Sequence, residues 1–250
     1  MNLGAIVEYV NGYLGKEGFP DFEGAENGLQ VSGAGLVDRL YAAVDASEEV
    51  IGRAGAKGPG LLLVHHGLFW GEKRSLTGPL FRKVEGLIKG GVGLYAAHLP
   101  LDAHPEVGNS AVLARECGLE PAGRFGRALG VEIGWWCETD LERSRLVETV
   151  EKVVGRESRL VAGGQKITRK VGVVTGSAGN MVRQAAENGV DTLITGEGSH
   201  PNYNEAMEFG VNVIYAGHYA TETWGVRALG QHLGERFGLG MEFIDVPTGF

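Results

Sequence analysis

The chain has 250 residues, of which 43% are hydrophobic and 22% charged, as is usual for a globular protein. Its 31 acidic and 23 basic residues give a net charge of −8 without any long Lys/Arg run, which disfavours a nucleic-acid partner. No apolar stretch reaches the roughly 18 residues of a membrane span, and the first residues lack a secretory signal pattern. Cys117 and Cys137 form no Cys-x-x-Cys pair, so we expect reduced thiols and a cytoplasmic protein.

Short apolar runs alternate with amphipathic segments along most of the chain. Strands are predicted at 40–44, 60–64, 92–97, 170–175, 192–195 and 211–216. Helices are predicted at 79–89, 109–117, 180–188, 203–209 and 221–237. Continuous apolar strands are typical of sheets covered on both faces, so the alternation predicts an α/β fold with mostly parallel sheets.

The middle of the chain has a less regular spacing. A strand near 132–137, an amphipathic stretch at 141–154 and an apolar run at 160–164 predict a strand-helix-strand unit. Pro121 and Gly123 interrupt the pattern just before it. We therefore predict two α/β domains, 1–125 and 126–225, and a segment at about 226–250 that could pack with the first.

Three predicted strands are followed by side chains that bind divalent metals. They are His65 and His66 after the second strand, His98 and Asp102 after the third, and His218 and Glu222 after the last. Ligands of open α/β sheets bind beyond the carboxyl ends of strands, and imidazole and carboxylate suit borderline divalent ions. The sequence therefore predicts a metal-dependent hydrolytic site with enough ligands for two ions.

Two of these pairs can also be interpreted as ordinary structural residues that bind no metal. Side chains of His65 and His66 would point to opposite faces of a regular strand, so they share a cleft only where the strand has turned, which Gly67 permits. The alternative is one histidine in the core and one exposed. His218 and Glu222 share a face of a helix that we expect to open at 221–222, and their alternative is a surface pair.

The segment from His98 to Asp102 contains Pro100, which fixes the turn and thus the direction of Asp102. That aspartate could instead cap a helix. His98 could be a metal ligand, a proton shuttle or a residue that orients a ligand, and we favour the last two roles.

Further polar residues follow other strands. Glu197 and His200 could line the cleft and, with His98, are our candidate catalytic residues, although their loop could simply cap a helix. Asp45 carries the same ambiguity. The Gly-rich turn 175–179 could hold a phosphate on its amides, but a tight strand-to-helix turn is the simpler interpretation.

Several segments carry a resemblance to a known family. They read NGLQV at 27–31, VHHGLFW at 64–70, AHLPLD at 97–102, GEGSH at 196–200 and GHYATE at 217–222. In these segments the chain resembles the NGG-one-interacting-factor-three-like (Nif-three-like) family, whose bacterial members are often called GTP cyclohydrolase type 2 homologues.

The resemblance implies a two-domain α/β fold, a toroidal homohexamer and two metal ions near the domain interface. The implied metal ligands are His65, His66, Asp102, His218 and Glu222. Two features depart from the family pattern: there is no room for the extra domain of some members, and Leu99 stands where Thr often follows the histidine. An all His/carboxylate donor set admits Zn, Mn, Fe, Co or Ni.

Two hypotheses of function follow. The first is a dinuclear metal-dependent hydrolase acting on a nucleotide or other small phosphorylated or heterocyclic substrate, with a GTP cyclohydrolase-like reaction suggested by resemblance. The alternative is a non-enzymatic, metal-binding, ring-forming interaction protein. Catalytic metal sites keep open positions, and five protein ligands shared by two ions would leave some, which favours the enzyme.

Overall fold

The computed structural model describes residues 1–71 and 74–250. The chain forms two compact units: Met1–Leu101 with Gly225–Val246, and Asp102–Trp224 with Pro247–Phe250. The described helices and strands follow in chain order: α1 (Leu3–Tyr13), β1 (Gly28–Val31), β2 (Arg39–Asp45), α2 (Glu48–Lys57), β3 (Gly60–His66), α3 (Gly78–Gly90), β4 (Val92–Ala96), α4 (Leu99–Asp102), α5 (Asn109–Glu116), β5 (Pro121–Ala128), β6 (Val131–Glu142), α6 (Arg143–Val154), β7 (Arg159–Ala162), β8 (Ile167–Val173), α7 (Val182–Glu187), β9 (Thr192–Thr195), α8 (His200–Phe209), β10 (Asn212–Tyr215), α9 (His218–Phe237) and β11 (Gly240–Phe243).

The sheet of the first unit has the strand order β1-β4-β3-β2-β11, and only the β1–β4 pair is antiparallel. Strands β2, β3 and β4 are apolar and buried along most of their length. Such strands need cover on both faces, and α2 and α3 contribute to it by burying Ile51 and Leu87 in the core. The three central strands are parallel, so their carboxyl ends meet at one edge of the sheet.

The second unit has a sheet of order β5-β6-β8-β9-β10-β7. Strands β8, β9 and β10 run parallel, and the remaining pairs are antiparallel. Its core contains Cys137, Leu146, Val171, Ile194 and Ile214. The parallel strands again bring their carboxyl ends together, which matters for the candidate site below.

The structure confirms an α/β fold with two sheets. All six strands that we predicted from continuous apolar runs are present, and the first sheet is mostly parallel, whereas the second is mixed. The predicted boundary near residue 125 falls inside β5, which pairs with β6, so residues 102–125 group with the second unit. The assignment of independent domains stays a prediction. In the part of the chain that the structure describes, no helix is long and apolar enough to cross a membrane.

Candidate metal centre

Three imidazoles lie together in the first unit. Ligand atoms of His65, His66 and His98 are all within 4.8 Å of one another, and the ring centroids of His65 and His66 are 4.8 Å apart. The first two residues end β3, and His98 follows β4. His65 is fully buried and His98 nearly so, while His66 is half-buried. The group could therefore hold a metal ion.

We had expected the strand to turn where its two histidines share a cleft, but β3 continues through both of them. Pairing with β4 ends at Val64 and Ala96, whereas β2 still pairs with His66 through Asp45. The two histidines thus lie at the margin of the sheet, beyond the last β3–β4 pair, and their ligand atoms converge while the strand stays intact.

Each of these imidazoles is oriented by an oxygen at its Nδ1. His65 Nδ1 donates to the carbonyl of Ala97 (2.9 Å), and His66 Nδ1 donates to Asp45 Oδ1 (2.8 Å). His98 Nδ1 donates to Asp21 Oδ1 (2.7 Å). An imidazole whose Nδ1 is engaged in this way binds a metal through Nε2, and an oxygen partner of this kind is characteristic of metal-binding histidines.

Asp21 is a site residue that the sequence analysis missed. Its carboxylate is 6% exposed and accepts hydrogen bonds from His98 Nδ1, from Asn27 Nδ2 (2.7 Å) and from the amides of Phe22 (2.7 Å) and Leu99 (3.1 Å). Burial raises the pKa of Asp21, but the hydrogen bonds from His98, Asn27 and Phe22, with His98 contributing most, lower it by more, so the net pKa lies below its usual value. Asn27 Oδ1 also accepts from the amide of His98 (2.7 Å).

A second group lies at the carboxyl ends of β9 and β10 in the second unit. His218 Nε2 is 3.1 Å from Glu222 Oε2, and His218 Nδ1 donates to Glu197 Oε1 at 2.9 Å. Helix α9 begins at His218, three residues before the predicted start, so the i, i+4 pair lies at the start of the helix. The hydrogen bond to Glu222 raises the pKa of His218 to about 9, against burial and with help from Glu197.

The Gly-rich turn 175–179 packs against Glu222. Gly176 has φ +67°, and a Cβ at this position would overlap Glu222 Oε1. The amide of Gly176 donates to Thr221 Oγ1 (3.1 Å), whose hydroxyl donates to the carbonyl of His218 (2.9 Å). These contacts favour the tight-turn interpretation, since the amide of Gly176 is engaged by α9.

Asp102 ends the short helix α4 and is buried, with 5% of its surface exposed. Asn109 Nδ2 donates to its Oδ1 at 2.8 Å. Asn109 thus fixes one oxygen of the Asp102 carboxylate, as expected if the orientation of Asp102 is important for the site.

The other two candidate catalytic residues have different surroundings. Glu197 contacts His218, as described above. His200 is exposed at the first turn of α8, where Ser199 and Asn202 form the capping box, so His200 is not the cap. Glu197 and His200 line one cavity of about 670 Å³, together with Tyr215.

The chain as a whole is similar to known proteins. The chain matches the model of the Duf34/NIF3 (NGG1p interacting factor 3) family over residues 1–248. A relative in Deinococcus radiodurans named "GTP cyclohydrolase 1 type 2 homolog" is 41% identical over 246 residues, which cover 98% of this chain and 93% of that protein. A relative of the same name in Archaeoglobus fulgidus is 40% identical over 248 residues, with 99% of each chain covered.

Solved structures agree with these relatives. A crystal structure from Thermus thermophilus superposes with a TM-score of 0.91 at 41% identity and covers 100% of both chains. The family model and these relatives cover nearly the whole chain, and we conclude that this protein belongs to the Duf34/NIF3 family.

Proposed function

We propose that the protein is a dinuclear metal-dependent hydrolase acting on a nucleotide or another small phosphorylated or heterocyclic compound. In this proposal the residues that hold two divalent ions are His65, His66, Asp102, His218 and Glu222. The first two belong to one compact unit and the other three to the second. The ion could be Zn, Mn, Fe, Co or Ni.

One observation carries the proposal. All three proposed histidine ligands have Nδ1 bonded to an oxygen: the Ala97 carbonyl for His65, Asp45 for His66 and Glu197 for His218. A single histidine of this kind could simply fill a core, but three whose Nδ1 is oriented alike by an oxygen match the chemistry of a metal site. The donor set therefore fits divalent ions.

Bound ions would supply an activated water and polarise the bond under attack. The chain itself would provide proton transfer. His98 is the first candidate, because Asp21 fixes its Nδ1 and can stabilise the imidazolium form. Glu197 and His200 are the further candidates.

The relatives' name suggests a reaction class. GTP cyclohydrolase chemistry adds water to an electron-poor carbon of a purine and opens the ring, and an activated water beside a general base suits that step. We therefore place guanine nucleotides first among the candidate substrates.

The test is a substrate screen with metal-reconstituted protein. Nucleotides and phosphoesters would be incubated with the wild-type protein, with Asp102→Asn and with His232→Gln, in which the altered histidine stacks on Tyr13. We expect turnover that disappears in the first variant and persists in the second. Stoichiometric metal without turnover of any compound would support the alternative, a metal-binding interaction protein that forms rings.

A further inference from the structure

Two exposed aromatic side chains, Phe22 and Trp70, adjoin the imidazole group of the first unit, and a third, Phe69, precedes Trp70 in the chain. Phe22, Phe69 and Trp70 have 49%, 38% and 38% of their surfaces exposed. The ring centroid of Trp70 lies 4.5 Å from that of His98 in an edge-to-face arrangement and 6.0 Å from that of His66. The ring of Phe22 is 5.8 Å from His98 and 6.4 Å from Trp70. Large apolar surfaces of this kind mark binding sites when they are contiguous.

The loops that carry these rings are held against each other. A Cβ on Gly24, which has φ +77°, would overlap the backbone of Gly71, so the two loops approach as closely as their backbones allow. The amide of Glu26 donates to the carbonyl of Phe69 at 3.3 Å. The aromatic wall is therefore built into the loops before any ligand arrives.

Two of these rings, Phe69 and Trp70, line a cavity of about 900 Å³, within the range of small-molecule sites. Its amide side chains are engaged in the loops: Gln30 accepts from the amide of Leu68 (2.7 Å) and donates to the carbonyl of Glu26 (2.7 Å). The amide of Gln30 is thus already engaged, and the cavity presents the aromatic faces of Phe69 and Trp70 beside charged side chains.

The charges of the residues that line this cavity also favour a neutral ring over a phosphate. Arg74 is accompanied by two carboxylates, Glu23 and Glu26. An anionic phosphate gains little from a wall with more negative than positive side chains, whereas a flat, neutral ring is bound through stacking.

We propose that Trp70 and Phe22 form a subsite for a planar nitrogen heterocycle, such as a purine base. A ring stacked on Trp70 would lie beside His98 and His66, the residues to which the proposed function assigns a proton and a metal ion. The subsite would select the base of the substrate and leave its phosphates to other parts of the protein. This inference rests on the proposed function, whose site it extends.

The test measures binding of two probes by calorimetry, with the metal-loaded protein and after chelation. Guanosine has the base without phosphate, and ribose 5-phosphate has the phosphate without the base. Trp70→Leu should weaken guanosine binding about 5- to 150-fold and leave ribose 5-phosphate unchanged, while Trp70→Phe should retain most of the affinity. Phe209→Leu, which alters a comparably exposed ring on α8, is the control.

Unchanged guanosine affinity in Trp70→Leu, equal weakening of both probes, or no guanosine binding by the wild-type protein would overturn the inference. If Trp70→Leu does not fold, Phe22→Leu is measured in its place with the same expectations. Guanosine binding does not require turnover, so this experiment tests the subsite independently of the proposed hydrolase activity. Trp70-dependent guanosine binding by a protein that hydrolyses nothing would refute only the hydrolase.

Discussion

At the residue scale, the candidate site consists of imidazoles whose direction is set by oxygens elsewhere in the chain. Sequence spacing indicated the histidines, because they follow strands, but it could not indicate Asp21, which lies 77 residues before His98 in an aperiodic loop. Asp45 was ambiguous for the same reason. Contacts over such distances in the chain depend on the tertiary fold, and no local pattern encodes them.

We predict that Glu222→Ala lowers metal affinity more than Glu197→Ala. Glu222 is a proposed ligand, whereas the Glu197 carboxylate accepts a hydrogen bond from Nδ1 of His218, and loss of such an orienting partner typically costs about 10- to 100-fold in affinity. Calorimetric titration of both variants with Zn²⁺ or Mn²⁺ measures the difference. Equal losses, or a larger loss in the Glu197 variant, would reverse the assignment.

We also predict that His98→Gln keeps both ions and loses about 10²- to 10⁴-fold in turnover, because glutamine cannot exchange a proton near neutral pH. Asp21→Asn should also lower turnover, because it weakens the hydrogen bond that orients Nδ1 of His98. Elemental analysis accompanies the kinetics. Loss of an ion from His98→Gln would instead make His98 a ligand, in keeping with its closeness to His65 and His66.

At the scale of elements, apolar runs and helical periods located most of the structure, and two of the strands that they missed share a physical reason. Strands β1 and β11 have four residues each and are only partly buried, so their patterns are too short to stand out. Helix α1 is a different case: Leu3, Ile6 and Val10 are buried at helical spacing behind the Asn2 cap, and that signal was present in the sequence.

The turn that supports Glu222 gives a prediction at this scale. Gly176→Ala should reduce metal occupancy, because the new methyl group would displace the Glu222 carboxylate. Gly189→Ala is a matched control, since Gly189 has φ +68° and no neighbouring atom within 4 Å of an added Cβ. Both variants carry similar backbone strain, of about 1 kcal/mol. Equal metal content in the two variants would show that Gly176 does not position Glu222.

At the scale of the whole molecule, the two buried thiols predict how stability depends on pH. Burial raises the pKa values of Cys117 and Cys137 from 9.0 to about 12. The unfolded chain therefore releases these protons at lower pH than the folded chain, and stability falls as pH rises from about 9 toward 12. Urea unfolding between pH 7.5 and 10 should show this fall, and the double variant to alanine should show a flatter curve.

The homohexamer implied by the family resemblance stays a prediction. Light scattering at micromolar concentration should give a mass several-fold above the 26.6 kDa of one chain. If the metal-loaded protein were monomeric and fully active, its function would not require assembly.

The order of strands in the first unit has a consequence for biosynthesis. Strand β11, near the end of the chain, pairs with β2, which emerges from the ribosome some two hundred residues earlier. Until β11 is translated, β2 presents an unpaired edge, and such edges recruit other chains. Most of the second unit, Asp102–Trp224, precedes β11 in the chain and is translated in the meantime. A nascent chain arrested before β11 emerges would therefore expose the edge of β2, and nascent-chain chaperones would be expected to bind there.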